Sequence, residues 1–413
     1  MSFRRPSNAT AALLCLLALL VVGGLATPPG SRASNAAIHG RSMWIWYLAS
    51  SDGGSAPAIS ARAHAAGVGT LIIKSGDGAH YWSQFSPRLV RELRADGVHV
   101  CAWQYVYGTD PLGEADTAAR AVGAGAQCLI IDAEADYEGR YASAASYLRK
   151  LRRLVGSSYP LGLASFPYAD YHPAFPYSVF LGPGGAQFDM PQMYWREIGI
   201  DAGNVFRHTY AENRIYRRPI YPLGQTFGSP PAEEVRLFRG LAVRYGALGI
   251  SWWDYAWTSA SGSWPAVSGL YTPAGAPPLG YPVLRQGSRG DAVLWMQEHL
   301  AREFPAQSTD GIFGPLTRSL LRAFQARHRL EVSGATGKAT WQALLRLPPV
   351  TGPWSASASR VDRNADHRWR AALDPQSASL PPRGHEIPEV GSNYATGSRA
   401  GGTVGRDKDP EAR

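Results

Sequence analysis

Between residues 38 and 260, short apolar runs alternate with longer segments whose apolar positions recur at helical spacing. The runs are 42–48 (SMWIWYL), 69–74 (GTLIIK), 99–107 (HVCAWQYVY), 128–134 (CLIIDAE), 161–166 (LGLASF), 188–195 (FDMPQMYW), 220–225 (IYPLGQ) and 247–253 (ALGISWW). Helices are predicted at 57–67, 86–97, 114–123, 141–155 and 231–245, with a partial helix at 204–213. Segment 86–97 carries the stripe Leu89, Val90 and Leu93. Pro57 suits a first helical turn, and Glu233 and Glu234 suit the positive end of the last helix. The segment 168–181 is rich in proline and aromatics and leaves room for a short helix only. Eight strand–helix units predict an α/β fold, a (β/α)8 TIM-type barrel. The alternative is an open doubly wound sheet. It lacks support, because no glycine fingerprint follows an early strand and residues 38–48 carry no phosphate-loop spacing.

A barrel of this kind places its chemistry at the C-terminal ends of the strands. The fourth run ends in Asp132-Ala133-Glu134. Residues two apart on a strand share a face, so Asp132 and Glu134 point the same way. Two carboxylates at the end of an apolar run are costly unless something uses them. Like charge and partial burial hold one of them protonated near neutrality, as general acid catalysis requires. Glu134, farther along the strand, is assigned the acid. Asp132 is assigned to orient substrate or stabilise developing positive charge, with Asp254 and Asp136 as candidates for the opposite wall. Tyr194 and Gln192 are expected to hold an N-acetyl group or a water, and Trp253 and Trp257 to stack on sugar rings. Tyr105 and Lys74 complete the expected binding surface. Trp46, Trp195 and Trp252 are further aromatic candidates, although strand parity is not fixed by the pattern. The competing reading makes Asp132 and Glu134 a salt-bridged closure of the barrel, with Lys74 across the mouth.

Composition narrows the function classes. The chain of 413 residues has 13 Trp and 20 Tyr, which suits a carbohydrate or peptide cleft as well as an ordinary core. Its net charge is +9, but no dense Lys/Arg block with interleaved aromatics appears. The charge therefore reads as solubility and attraction to an anionic envelope, and no nucleic-acid partner is expected. Histidines show no HxxxH or HxH spacing, so no metal or cofactor is expected. Ser165 and Ser251 lack a nucleophile-elbow context.

Residues 1–33 combine a basic start, a short apolar core and a small-residue exit, and read as a secretory signal. Cleavage falls after Ala26 or Ala33; an uncleaved membrane anchor is the other reading. The mature chain then holds Cys101 and Cys128, either disulfide-bonded or as two buried thiols. Residues 261–280 are a Ser/Gly/Ala/Pro-rich linker. Residues 281–347 form a compact three-helix module, and 348–413 have the composition of a disordered or loosely packed tail.

The module resembles the peptidoglycan-binding module of bacterial cell-wall hydrolases. The match runs through Leu284, Gly287, Gly290, Val293 and Leu300, then Asp310-Gly311, Phe313-Gly314, Thr317 and Ala323-Phe324-Gln325, then Gly334, Gly337, Thr340-Trp341 and Leu344. The barrel more weakly resembles the lysozyme-like TIM-barrel muramidases, on Asp132 and Glu134. That resemblance implies glycoside hydrolysis with Glu134 as acid. It departs from the family pattern in having no acidic residue at the end of the first or the sixth strand, where Trp46-Tyr47 and Gln192-Met193-Tyr194 stand. The combined expectation is a secreted or envelope-associated, monomeric glycoside hydrolase of peptidoglycan or a related wall polysaccharide, anchored by its module. Two other readings stand beside it: a non-catalytic wall-binding protein on a degenerate barrel, and a peptidoglycan amidase or peptidase marked by a metal in the barrel mouth.

Overall fold

The structure is a computed structural model that describes residues 38, 40–269 and 279–351. The expected signal segment and most of the tail lie outside these residues. Eight parallel strands form the barrel: β1 (Gly40–Ile45), β2 (Thr70–Asp77), β3 (His99–Val106), β4 (Cys128–Ala133), β5 (Leu161–Ser165), β6 (Phe188–Pro191), β7 (Leu223–Gln225) and β8 (Gly249–Trp253). Each pairs with its sequence neighbour, and β8 returns to β1 through Gly40↔Gly249 to Met43↔Trp252. Only the β6–β7 seam is thin. It closes through two isolated parallel bridges, Asp189↔Ile220 and Gln192↔Leu223. A two-residue arm, His80–Tyr81, folds back on the end of β2.

The outer helices are α1 (Ala56–Ala65), α2 (Pro87–Ala95), α3 (Pro111–Gly123), α4 (Tyr141–Val155), the short α5 (Tyr177–Phe180) and α6 (Trp195–Ile198), α7 (Ala202–Glu212), α8 (Ala232–Arg244), and the turns α9 (Tyr255–Ala260) and α10 (Trp264–Val267). Their starts obey local chemistry. Ser55, Ser86, Asp110 and Asp201 each accept a hydrogen bond from a backbone N–H of the first turn. The sixth strand is shorter than its apolar run predicts. After Pro191 the chain turns, and Trp195 opens α6 rather than ending a strand.

Strand parity, open in the sequence, is settled by packing. Trp44, Ile72, Cys101, Trp103, Cys128, Ile130, Ala164, Phe188, Met190 and Leu223 fill the barrel interior. The intervening residues Met43, Ile45, Leu71, Ile73, Leu129, Ile131 and Leu163 pack under the helices. The period of two then carries Trp46, Lys74, Tyr105, Asp132, Glu134 and Trp253 to the inner side at the C-terminal mouth. Cys101 and Cys128 are register partners inside the barrel and form a disulfide, with Cα atoms 4.6 Å apart.

The module contributes α11 (Asp291–Leu300), α12 (Pro315–Arg327) and α13 (Lys338–Leu344). It is docked on the barrel. Asp291 Oδ2 accepts from the Ser178 backbone N–H and the Tyr216 hydroxyl, both at 2.8 Å, and its Oδ1 accepts from Ser178 Oγ at 2.6 Å. Trp295 Nε1 donates to the Ile215 carbonyl at 2.9 Å. Gly290 makes this approach possible. Its φ is +107°, and a Cβ there would lie 2.6 Å from a carbon of Pro173.

Candidate functional site

The mouth is built around one amide and two carboxylates. Asp132 sits in β4 between Tyr105 of β3 and Ala164 of β5. Asp132 is buried and Glu134, two residues on, is half-buried. Gln192, just past β6, donates Nε2 to Glu134 Oε1 at 2.7 Å and to Asp132 Oδ1 at 3.1 Å. Both carboxyls titrate above their ordinary range. Burial is the main cause for each; for Asp132 the Glu134 charge adds to it and Lys74 opposes it. For Glu134 the Gln192 amide and nearby His172 oppose it. The two carboxyls lie close enough to influence each other, so the raised titration belongs to the pair and not to either residue alone.

Tyr194 lies among three acids. Its phenol is held well above its usual range by burial, then by the charges of Asp132, Glu134 and Asp254. Tyr105 donates its hydroxyl to Asp136 at 2.9 Å, beside the pair. The floor is tryptophan. The Trp253 ring lies 5.5 Å from Trp44, 5.5 Å from Trp46 and 5.3 Å from Trp103.

Several expected roles change. Lys74 makes no ion pair with Asp132 or Glu134. Its ammonium binds Asp77 at 2.6 Å and lies over the rings of Trp46, Trp82 and Trp103 at 5.0, 4.6 and 4.6 Å. Burial among aromatics makes this cage the better home for the charge. The carboxylate pair is consequently not a Lys74 salt bridge. Asp254 accepts the Trp257 backbone N–H at 3.0 Å and caps α9, and burial pushes its pKa up to about 6. Trp257 is half-buried, one turn into α9. Trp252 and Trp195 are absent from the mouth; both pack on Phe238 of α8.

Sequence reasoning missed His172 and Glu138. The imidazole stacks on Phe166 at 3.5 Å and hydrogen-bonds Glu138, which places it beside Glu134. Both residues lie on loops, where no periodicity announces them. The cue available was the proximity of Glu138 to the Asp132–Glu134 motif in the chain.

Comparison with known proteins bears first on the module. A family model for a peptidoglycan binding domain matches residues 289–344. No curated protein matches the chain. Among solved structures, the barrel is similar to a class V chitinase from Pseudomonas fluorescens. Identity is 11% and the TM-score 0.41, over 55% of this chain and 98% of that one. A fungal endo-beta-N-acetylglucosaminidase of glycosyl hydrolase family 18 aligns at 13% identity and TM-score 0.39, over 54% and 97% of the two chains. A sugar phosphate isomerase/epimerase from Parabacteroides distasonis aligns at 10% and 0.37, over 55% and 97%. Among the described residues no helix is long and apolar enough to cross a membrane.

Proposed function

We propose that the barrel is a glycoside hydrolase of peptidoglycan or a related N-acetylated wall glycan, brought to its substrate by the peptidoglycan-binding module. The observation that carries this reading is the Asp132–Glu134 pair, joined by Gln192 at the open end of the barrel. Glycoside hydrolysis needs a proton donor for the leaving oxygen and a group that meets the oxocarbenium-like centre. Glu134 is the outer and more accessible carboxyl. The one proton held by the pair passes through Glu134 to the glycosidic oxygen, which leaves both carboxyls ionised, with Asp132 facing the developing positive charge. Among the described residues no second acid stands ready to act as nucleophile. Asp254 is committed to capping α9, and Asp136 accepts from Tyr105. A substrate N-acetyl oxygen is the natural substitute, with the Tyr194 hydroxyl holding it in place. The tryptophan floor supplies stacking surface for sugar rings. Anchoring raises the local concentration of an insoluble substrate. A secreted location and domain limits at 38–260 and 281–347 belong to this same reading.

The burial of Asp132 and the capping role of Asp254 favour a second reading, a barrel that binds glycan without cleaving it. Digestion of purified walls separates the two. Wild type is expected to release new reducing ends, and Glu134→Gln to release at least a hundredfold fewer while still sedimenting with walls. A folded wild-type protein that yields no reducing ends from several wall types overturns the hydrolase reading.

A further inference from the structure

Beside the mouth, three potential metal ligands converge, only one of them a histidine. His208 and Glu212 lie one turn apart on α7 and therefore share a face. Asp170 reaches them from the loop that follows β5. His208 Nε2 is 2.8 and 2.9 Å from the two Asp170 carboxylate oxygens. One ligand atom from each of the three residues lies within 4.8 Å of the other two. Tyr168 walls the group with its ring edge-on to His208 at 4.2 Å.

We propose that Asp170, His208 and Glu212 bind a divalent transition-metal ion, for which Zn2+ is the best match. One imidazole nitrogen and two carboxylate oxygens are an ordinary zinc donor set, with water completing the coordination. The imidazole favours zinc over calcium or magnesium, which prefer all-oxygen surroundings. A plain ion pair between His208 and Asp170 leaves Glu212 unexplained. Glu212 makes no hydrogen bond or ion pair of its own among the described residues. Two acids beside one imidazole carry an excess of negative charge that a divalent cation discharges.

The site has a structural consequence. Asp170 and His172 share one loop, and His172 contacts Glu138 beside Glu134. A metal joining Asp170 to α7 fastens that loop at the edge of the mouth. The inference does not depend on hydrolysis.

The test uses the untagged full chain, stripped with chelator and dialysed against Zn2+. One equivalent of zinc is expected in wild type. At least tenfold weaker binding is expected in both His208→Ala and Glu212→Gln. Zinc raises the thermal midpoint of wild type and leaves that of the variants unmoved. Should a variant fold poorly, Co2+ added to wild type gives an independent readout, a visible d–d absorption without a thiolate band. Absence of retained zinc, absence of cobalt absorption, or unchanged affinity in folded variants overturns the proposal.

Discussion

Gln192 donates its side-chain amide to the Glu134 carboxylate at 2.7 Å, tying the end of β6 to the end of β4. An amide there holds Glu134 in one orientation and adds no charge. Gln192→Ala is expected to lower hydrolysis of wall glycan by about a hundredfold, the usual cost of one positioned donor. Gln192→Glu is expected to do worse, since a third carboxyl joins a crowded pair. Initial rates of reducing-end release measure both. Rates within twofold of wild type in Gln192→Ala rule out a positioning role for this residue.

On the proposed hydrolase reading, the raised titration of the Asp132–Glu134 pair gives activity a defined pH dependence. The protonated pair is the competent acid, so the rate falls as pH rises through the upper titration of the pair. Asp132→Asn removes one of the two like charges, while burial, the larger cause, still holds Glu134 up. The alkaline limb of the pH–rate profile should therefore move to lower pH, with a loss in rate of about tenfold or more. An alkaline limb that stays in place shows that another group sets it.

The barrel was largely legible in the sequence, and the reason is physical. Strands such as 128–134 are continuous apolar runs because both of their faces are buried, and α4 was bounded correctly at 141–155 by its amphipathic pattern. Asp132, Glu134 and Gln192 were legible because they follow such runs directly. Parity was the missing information. Trp252 and Trp253 are adjacent and equally aromatic, yet one packs on α8 and the other on the barrel floor. The partners of Lys74 depend on aromatic rings from three different segments, and sequence spacing says nothing of that. His172 meets Glu138, and Asp170 meets His208, through loop geometry and tertiary packing, which leave no periodic trace.

The module junction makes a prediction about stability. Asp291 accepts three hydrogen bonds from Ser178 and Tyr216 at the start of α11. Asp291→Ala leaves those donors buried and unpaired, at a cost of about 3 kcal/mol. Asp291→Asn, which can still accept, should cost less. Urea denaturation of the full chain reads the difference as a lower midpoint. An unchanged midpoint in Asp291→Ala means that the module is held to the barrel by other contacts.

Glu298, also on α11, supplies a second and opposite test. Its side chain is fully buried, and neither carboxyl oxygen has a hydrogen-bond partner. Burial, with the Asp291 charge adding to it, pushes its pKa up to about 9 from 4.5. The folded chain therefore keeps this proton over a pH range in which the unfolded chain has released it. The stability contributed by Glu298 is complete below about pH 4.5 and is lost as pH climbs toward 9, by up to about 1.4 kcal/mol per pH unit. Glu298→Gln cannot ionise. It should flatten the decline in stability between pH 5 and pH 8 and be more stable than wild type at pH 8. Denaturation midpoints at the two pH values measure this directly. Parallel declines in wild type and variant would place the pH sensitivity on the other buried acids, Asp189 and Asp291, whose pKa values are pushed up to about 7 and about 6.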